Sequence, residues 1–177
     1  DELFHEVWRF DFISNTWKKL DAQNLPKELA SCYTVVSGRV LFLQGGTGVP
    51  FGQKLNESLY YCNLPKTGTN ITFEELKATT YVCPPPRYGH SMALSGNHLY
   101  VVGGTTGHAY SLDVHSFNLK TREWDRLYDC NMNLNGPSPR YRHEMVCYND
   151  RLYIFGGGTS QLAFTLEVSY DVVCLSY

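Results

Sequence analysis

Apolar residues along the chain fall into short runs of four to eight, alternating with polar ones or continuous, and glycine, asparagine, aspartate or proline punctuates them. That is the pattern of β-strands joined by tight turns. In the middle of the chain, Pro86-Arg87-Tyr88-Gly89-His90 leads into Ser91–Leu94, a turn at Ser95-Gly96-Asn97, and the run Leu99-Tyr100-Val101-Val102-Gly103-Gly104. A polar loop follows, then Leu112–Leu119 and a closing segment, Thr121–Leu127, that contains Trp124. The spacing predicts four antiparallel strands.

The same order of parts recurs on either side. After the central unit come Pro139-Arg140-Tyr141-Arg142-His143, a turn at Tyr148-Asn149-Asp150, and Leu152–Gly157. Before it, Pro26-Lys27-Glu28-Leu29-Ala30 precedes a turn at Ser37-Gly38, the run Val40–Gly46, and Leu59-Tyr60-Tyr61-Cys62. Glycine pairs begin at 45, 103 and 156, and an aromatic near each unit's end falls at Trp17, Phe73 and Trp124. Both markers keep a period of roughly 50 residues, and a diglycine after an apolar strand with a later aromatic marks the kelch repeat. The expected architecture is therefore all-β, a segment of kelch-type β-propeller built from four-stranded antiparallel blades. Its parts are the end of one blade (1–20), two blades (26–76 and 86–127) and an incomplete blade (139–177). Propellers close with four to eight blades. The chain, which opens at Asp1 in mid-unit, reads as part of a longer protein or as a segment that needs a partner.

Each mark has a physical reason. Leu99–Val102 is apolar on both faces because such a strand lies between neighbouring blades. The diglycine supplies backbone angles that other residues avoid. Trp124 is expected to cover the gap to the next blade. His90 and His143, at one place in successive repeats, read as framework histidines that bond a backbone carbonyl of their own blade. Arg87 and Arg140 recur in the same way and read as residues that hold blades together through carbonyls or acidic neighbours. Arg142 stands where the central repeat has Gly89, so the framework does not require it.

Composition adds aromatics at 14% of the 177 residues, with 15 Gly and 8 Pro, which suits strands and turns rather than helices. Fifteen basic against 17 acidic residues, without long runs of either sign, give no pull toward nucleic acid or an anionic membrane. No apolar stretch reaches the length of a membrane span. The six cysteines lack metal-ligand spacing and read as reduced, strand-borne thiols. No nucleophile elbow, phosphate loop or zinc motif occurs, so neither a catalytic residue, a metal nor a cofactor is expected. A radical-copper oxidase is the remaining catalytic alternative.

Several strings resemble one branch of the kelch family in order and over nearly the whole chain. They are Pro26–Ser31, Gly45–Gly52, Gly103–Gly107, Thr121–Trp124, Arg140–Glu144 and Gly156–Ser160. The resemblance implies a six-bladed propeller followed by a C-terminal box, absent from these residues, that binds elongin and cullin subunits. It implies a substrate-recognition subunit of a cullin-RING ubiquitin ligase that reads C-terminal degrons of client proteins in cytoplasm and nucleus. The alternative it implies is a non-degradative scaffold or an inhibitor of a serine/threonine phosphatase in stress signalling. Related receptors hold the peptide carboxylate with arginines just after a diglycine, but Thr47, Thr105 and Gly158 stand there. The carboxylate anchor is then expected from Arg142, with Tyr141 beside it, the hydroxyls of Thr105, Thr159 and Ser160, and the loop tyrosines Tyr88 and Tyr110. Gln161 stands where the resembled proteins carry Trp.

Overall fold

The computed structural model describes residues 3–132 and 135–159, and the backbone at 167–168 and 172–176. The described residues are all strand, turn and loop. Strands β1 (Val7–Asp11) and β2 (Thr16–Gln23) form an antiparallel hairpin. Blade I consists of β3 (Tyr33–Ser37), β4 (Val40–Gln44), β5 (Leu59–Asn63) and β7 (Glu74–Glu75). The short β6 (Asn70–Thr72) leaves that sheet and pairs in parallel with β2. Blade II contains β8 (Ser91–Ser95), β9 (His98–Thr105), β10 (Tyr110–Asn118) and β11 (Glu123–Tyr128).

Blade III has β12 (Glu144–Tyr148), β13 (Arg151–Phe155) and β16 (Val172–Ser176). A small pairing of β14 (Gly158–Thr159) with β15 (Glu167–Val168) leads into β16. The first strands of the blades lie side by side, β3 against β8 and β8 against β12. Each blade is an antiparallel meander whose consecutive strands are neighbours.

Three apolar clusters fill the spaces between units. Leu20 of the hairpin and Ile71 of β6 meet Leu43 and Cys62 of blade I and Phe73 just before β7. Phe42 and Leu59 of blade I meet Met92, Leu99, Val101, Phe117 and Trp124 of blade II. Ala93, Val102, Leu112 and Val114 of blade II meet Met145, Leu152 and Ile154 of blade III. Neighbours along β9 thus serve opposite interfaces, Leu99 and Val101 one and Val102 the other, and all three are fully buried. This accounts for the continuous apolar run, since side chains alternate between faces along a strand. Trp124, by contrast, packs toward the preceding blade, not the next one as the sequence suggested.

The outer rim carries a repeated tie. The amide of Phe73 donates to the Gln23 carbonyl (2.9 Å), and one repeat later the amide of Trp124 donates to Thr80 Oγ1 (2.9 Å). The first tie ends on the last residue of β2 and the second on the segment that follows β7.

Candidate functional site

In every blade the segment approaching the first strand forms a β-bridge to the residue after that blade's diglycine. The bridges are Ala30 with Thr47, Tyr88 with Thr105, and Tyr141 with Gly158. They fix which positions correspond: Leu29 matches Arg87 and Arg140, Ser31 matches Gly89 and Arg142, and Cys32 matches His90 and His143. Blade I is therefore offset by two residues from the alignment that Pro26 and Pro86 suggest. The prolines mislead because the chain between proline and first strand is longer in blade I.

Arg87 and Arg140 belong to the framework. Arg87 donates from Nε to the Pro85 carbonyl (3.0 Å) and from Nη1 to that of Gly103 (2.8 Å). Arg140 does the same to Ser138 (3.2 Å) and Gly156 (2.9 Å). Their own carbonyls accept from the preceding blade, Arg87 from the Gly46 amide and Arg140 from the Gly104 amide, each at 2.9 Å. Each arginine thus ties its blade's diglycine to the previous one. Burial lowers the Arg87 pKa to about 10, against the opposing pull of Asp113. Leu29 cannot fill this role in blade I, and Asn56 takes it over, its Nδ2 donating to the Gly45 carbonyl at 3.2 Å.

The histidines also behave differently from the expectation. Among the described residues neither ring has a hydrogen-bond partner that meets ordinary geometry, and both rings press against the preceding blade. A Cβ on Gly45 would overlap the His90 ring, and one on Gly103 would overlap the His143 ring. The glycine is needed there because the next blade's imidazole occupies the space, in addition to the positive φ of +67° at both positions. Burial lowers the pKa of His90 to about 3 and that of His143 to about 4, so both rings are neutral at pH 7.

Ser31, Gly89 and Arg142 form a ladder across the three blades. Gly89 N donates to the Ser31 carbonyl (2.9 Å) and Arg142 N to that of Gly89 (2.6 Å). All three adopt left-handed backbone, with φ of 56°, 62° and 54°. Residues other than glycine seldom adopt this conformation, so the Arg142 backbone carries a cost of about 1–2 kcal/mol. The Arg142 side chain is exposed, lies 5.4 Å from the centroid of the Tyr141 ring, and forms no ion pair among the described residues.

Tyr141 contacts Tyr110 with centroids 5.3 Å apart, and Tyr88 contacts Phe51 at 5.1 Å, nearly perpendicular at 74°. The Tyr88 phenol pKa is raised first by burial, then by Tyr110 and Tyr141, with Arg142 pulling it down, so these four groups share one neighbourhood. Arg142, Tyr141, Tyr110 and Tyr88 are thus brought together. Tyr88 is buried, covered by the blade I loop, while Phe51 at the tip of that loop is 51% exposed. The sequence signal for Phe51 was an apolar tip, Val49-Pro50-Phe51, inside a loop bounded by Gly48 and Gly52.

The hydroxyls are less available than their position suggests. Thr105 is buried, and its Oγ1 donates to the Ala109 carbonyl (2.8 Å) while accepting from the Gly107 amide (3.0 Å). It shapes its own turn, as Thr47 does by donating to Lys54 O and accepting from Gly52 N, both at 2.9 Å. Thr159 is half-buried on β14, and Ser160 and Gln161 lie outside the described residues. One link was not foreseen. Tyr33 donates from its hydroxyl to Glu144 Oε2 (3.1 Å), joining blade I to blade III two residues beyond Arg142.

This architecture can be set beside known proteins. Residues 38–176 match the family described as the KLHDC2/KLHL20/DRC7 Kelch-repeats domain. The chain belongs to the kelch-repeat family. Among kelch proteins it is 40% identical to Kelch domain-containing protein 10 of Xenopus tropicalis over 167 residues, which is 93% of this chain and 39% of that protein. The human protein of the same name is also 40% identical, across 93% of this chain and 36% of its own length. The Drosophila melanogaster homolog is 33% identical over 170 residues, 93% of this chain and 28% of that protein. The chain thus spans less than two fifths of these kelch relatives. Among solved structures, YjhT shares the fold, with a TM-score of 0.70 and 18% identity, over 98% of this chain and 50% of that one.

Proposed function

We propose that this kelch segment carries the recognition face of a substrate receptor that reads the C-termini of client proteins for a cullin-RING ubiquitin ligase. Under this proposal the chain performs no chemistry. It holds the client while other subunits, joined through an elongin- and cullin-binding box outside these residues, transfer ubiquitin in cytoplasm and nucleus. The observation that carries the reading is Arg142. An exposed guanidinium without an ion-pair partner among the described residues stands at a position where blade I has Ser31 and blade II Gly89, stacked on Tyr141 and neighboured by Tyr110 and Tyr88. A guanidinium fork is matched to a carboxylate, and aromatic walls suit the side chains next to it. Similarity to Kelch domain-containing protein 10 supports the coarser part of this reading, a kelch-repeat protein-interaction module.

The exposed Val49-Pro50-Phe51 tip favours a second reading, contact with a folded partner by a non-degradative scaffold or phosphatase inhibitor. The two separate in a peptide experiment. Free-acid and C-terminally amidated peptides are titrated into the wild-type protein and into Arg142→Gly, which places in blade III the residue that blade II already has. A carboxylate reader loses roughly ten- to a hundredfold in affinity on amidation, and amidation costs nothing further in the variant. Affinities indifferent to both changes exclude the carboxylate reading and leave the folded-partner one.

A further inference from the structure

The groove between blades I and II holds chemistry that the carboxylate site does not use. Position 44 immediately precedes its diglycine, where blade II has Val102 and blade III has Phe155, and Val102 is buried among the apolar side chains of its interface. Gln44 is equally buried, at 2% exposure, yet polar, and its Oε1 has no hydrogen-bond partner among the described residues. An unpaired buried amide oxygen is unfavourable, and an apolar residue would serve the interface better. The framework therefore does not explain this glutamine.

Gln44 lines a groove of about 100 Å³. Trp124 and Pro84 give it apolar walls, and Glu57 and Glu75 bring carboxylates, one Glu75 oxygen accepting from Ser58 Oγ at 2.7 Å. Among the described residues Lys77 is the single basic residue of the lining and is exposed, so there acidic groups outnumber basic ones two to one. We propose that this groove binds a basic side chain, arginine or lysine, of a partner polypeptide. The aliphatic stem lies along Trp124 and Pro84, and the cationic head donates to Glu57, Glu75 and Gln44 Oε1. Arginine and lysine heads offer only donors, and these three groups present acceptors. The aromatic wall adds attraction for a cation. Glu57 and Ser58 end the blade I loop that carries Phe51, and the groove shares no residue with the Arg142 site.

The test uses arginine, lysine and norleucine, each acetylated at the amino end and amidated at the carboxyl end. None carries a free carboxylate, so the result does not depend on the reading of Arg142. Each is titrated into the protein while the Trp124 indole resonance is followed. Saturable binding of either basic residue but not of norleucine is expected. Glu75→Gln should weaken it at least about tenfold, the worth of a charge-assisted contact. Gln44→Val, which installs the residue of blade II, should weaken it at least about threefold without lowering Tm. The proposal is overturned if norleucine binds as well as arginine and lysine, if neither basic residue shifts the indole saturably, or if both variants bind like the wild type.

Discussion

His90, His115 and His143 are each about 2% exposed, and burial depresses all three, to about 3, about 4 and about 4. An unfolded histidine titrates near 6.5. The folded state thus binds fewer protons below that pH, so the stability these groups allow is full above pH 6.5 and is lost as pH falls toward 4. At pH 5 each should cost on the order of 2 kcal/mol. Urea unfolding at pH 7 and pH 5 should show a steep drop, which His143→Gln should make shallower; a flat profile would mean the rings are protonated or solvated when folded. Arg142 makes the opposite point at the same scale. Glycine removes its backbone cost, about 1–2 kcal/mol, but also a contact with Tyr141 of about 0.5–1 kcal/mol. Thermal unfolding of Arg142→Gly should match the wild type within about 1 kcal/mol, and a loss above 2 would assign Arg142 a structural role instead. The singularity of Arg142 was legible because the neighbouring repeat has glycine. The commitment of Thr105 to its own turn was not, because a hydroxyl's partner depends on how its loop closes.

Identical sequence marks have unequal weight at the level of the strand pair. Phe117 and Trp124 face each other across β10 and β11 with centroids 4.9 Å apart at 54°, and Phe10 and Trp17 do so across β1 and β2 at 5.0 Å and 54°. The first pair is buried against blade I, whereas Trp17 remains 65% exposed. Trp124→Ala should cost about 3–5 kcal/mol, and Trp17→Ala less than about 1 kcal/mol. Chemical denaturation of the two variants checks the ratio, and equal losses would mean that Trp17 is covered in solution. Strand number, turns and diglycines were readable because each depends on local alternation and backbone angle. The direction in which Trp124 and the histidines face was not, since it depends on which neighbour fills the other side of the blade. Nor was the exchange of Arg for Asn56 at the blade I diglycine, because the substitute comes from a different loop 27 residues away from Leu29.

For residues 1–177 taken alone, two apolar faces are uncovered. One is the hairpin face with Trp8 and Trp17, 48% and 65% exposed; the other is the far side of blade III with Val146, Tyr148 and Phe155, 51%, 66% and 42% exposed. The interior shows what such faces do when they meet. Val146 and Tyr153 occupy the positions of Val35 and Phe42, which pack on the cluster containing Phe117 and Trp124, and Phe10 and Trp17 occupy the positions of that aromatic pair. The two open faces are therefore halves of an interface type that the chain already builds between blades I and II. Apolar faces of this kind associate. Contact between opposite ends is heterologous, so association should progress with concentration instead of stopping at one symmetric dimer. Sedimentation velocity of the chain should show a mass that rises with concentration and is little affected by salt, since the contact is apolar. Trp17→Ser with Tyr148→Ser should lower it toward monomer while leaving the core between blades I and II intact. A monodisperse monomer with a cooperative melt at every concentration would show instead that these faces tolerate water, and that Trp8 and Trp17 close onto the chain's own surface.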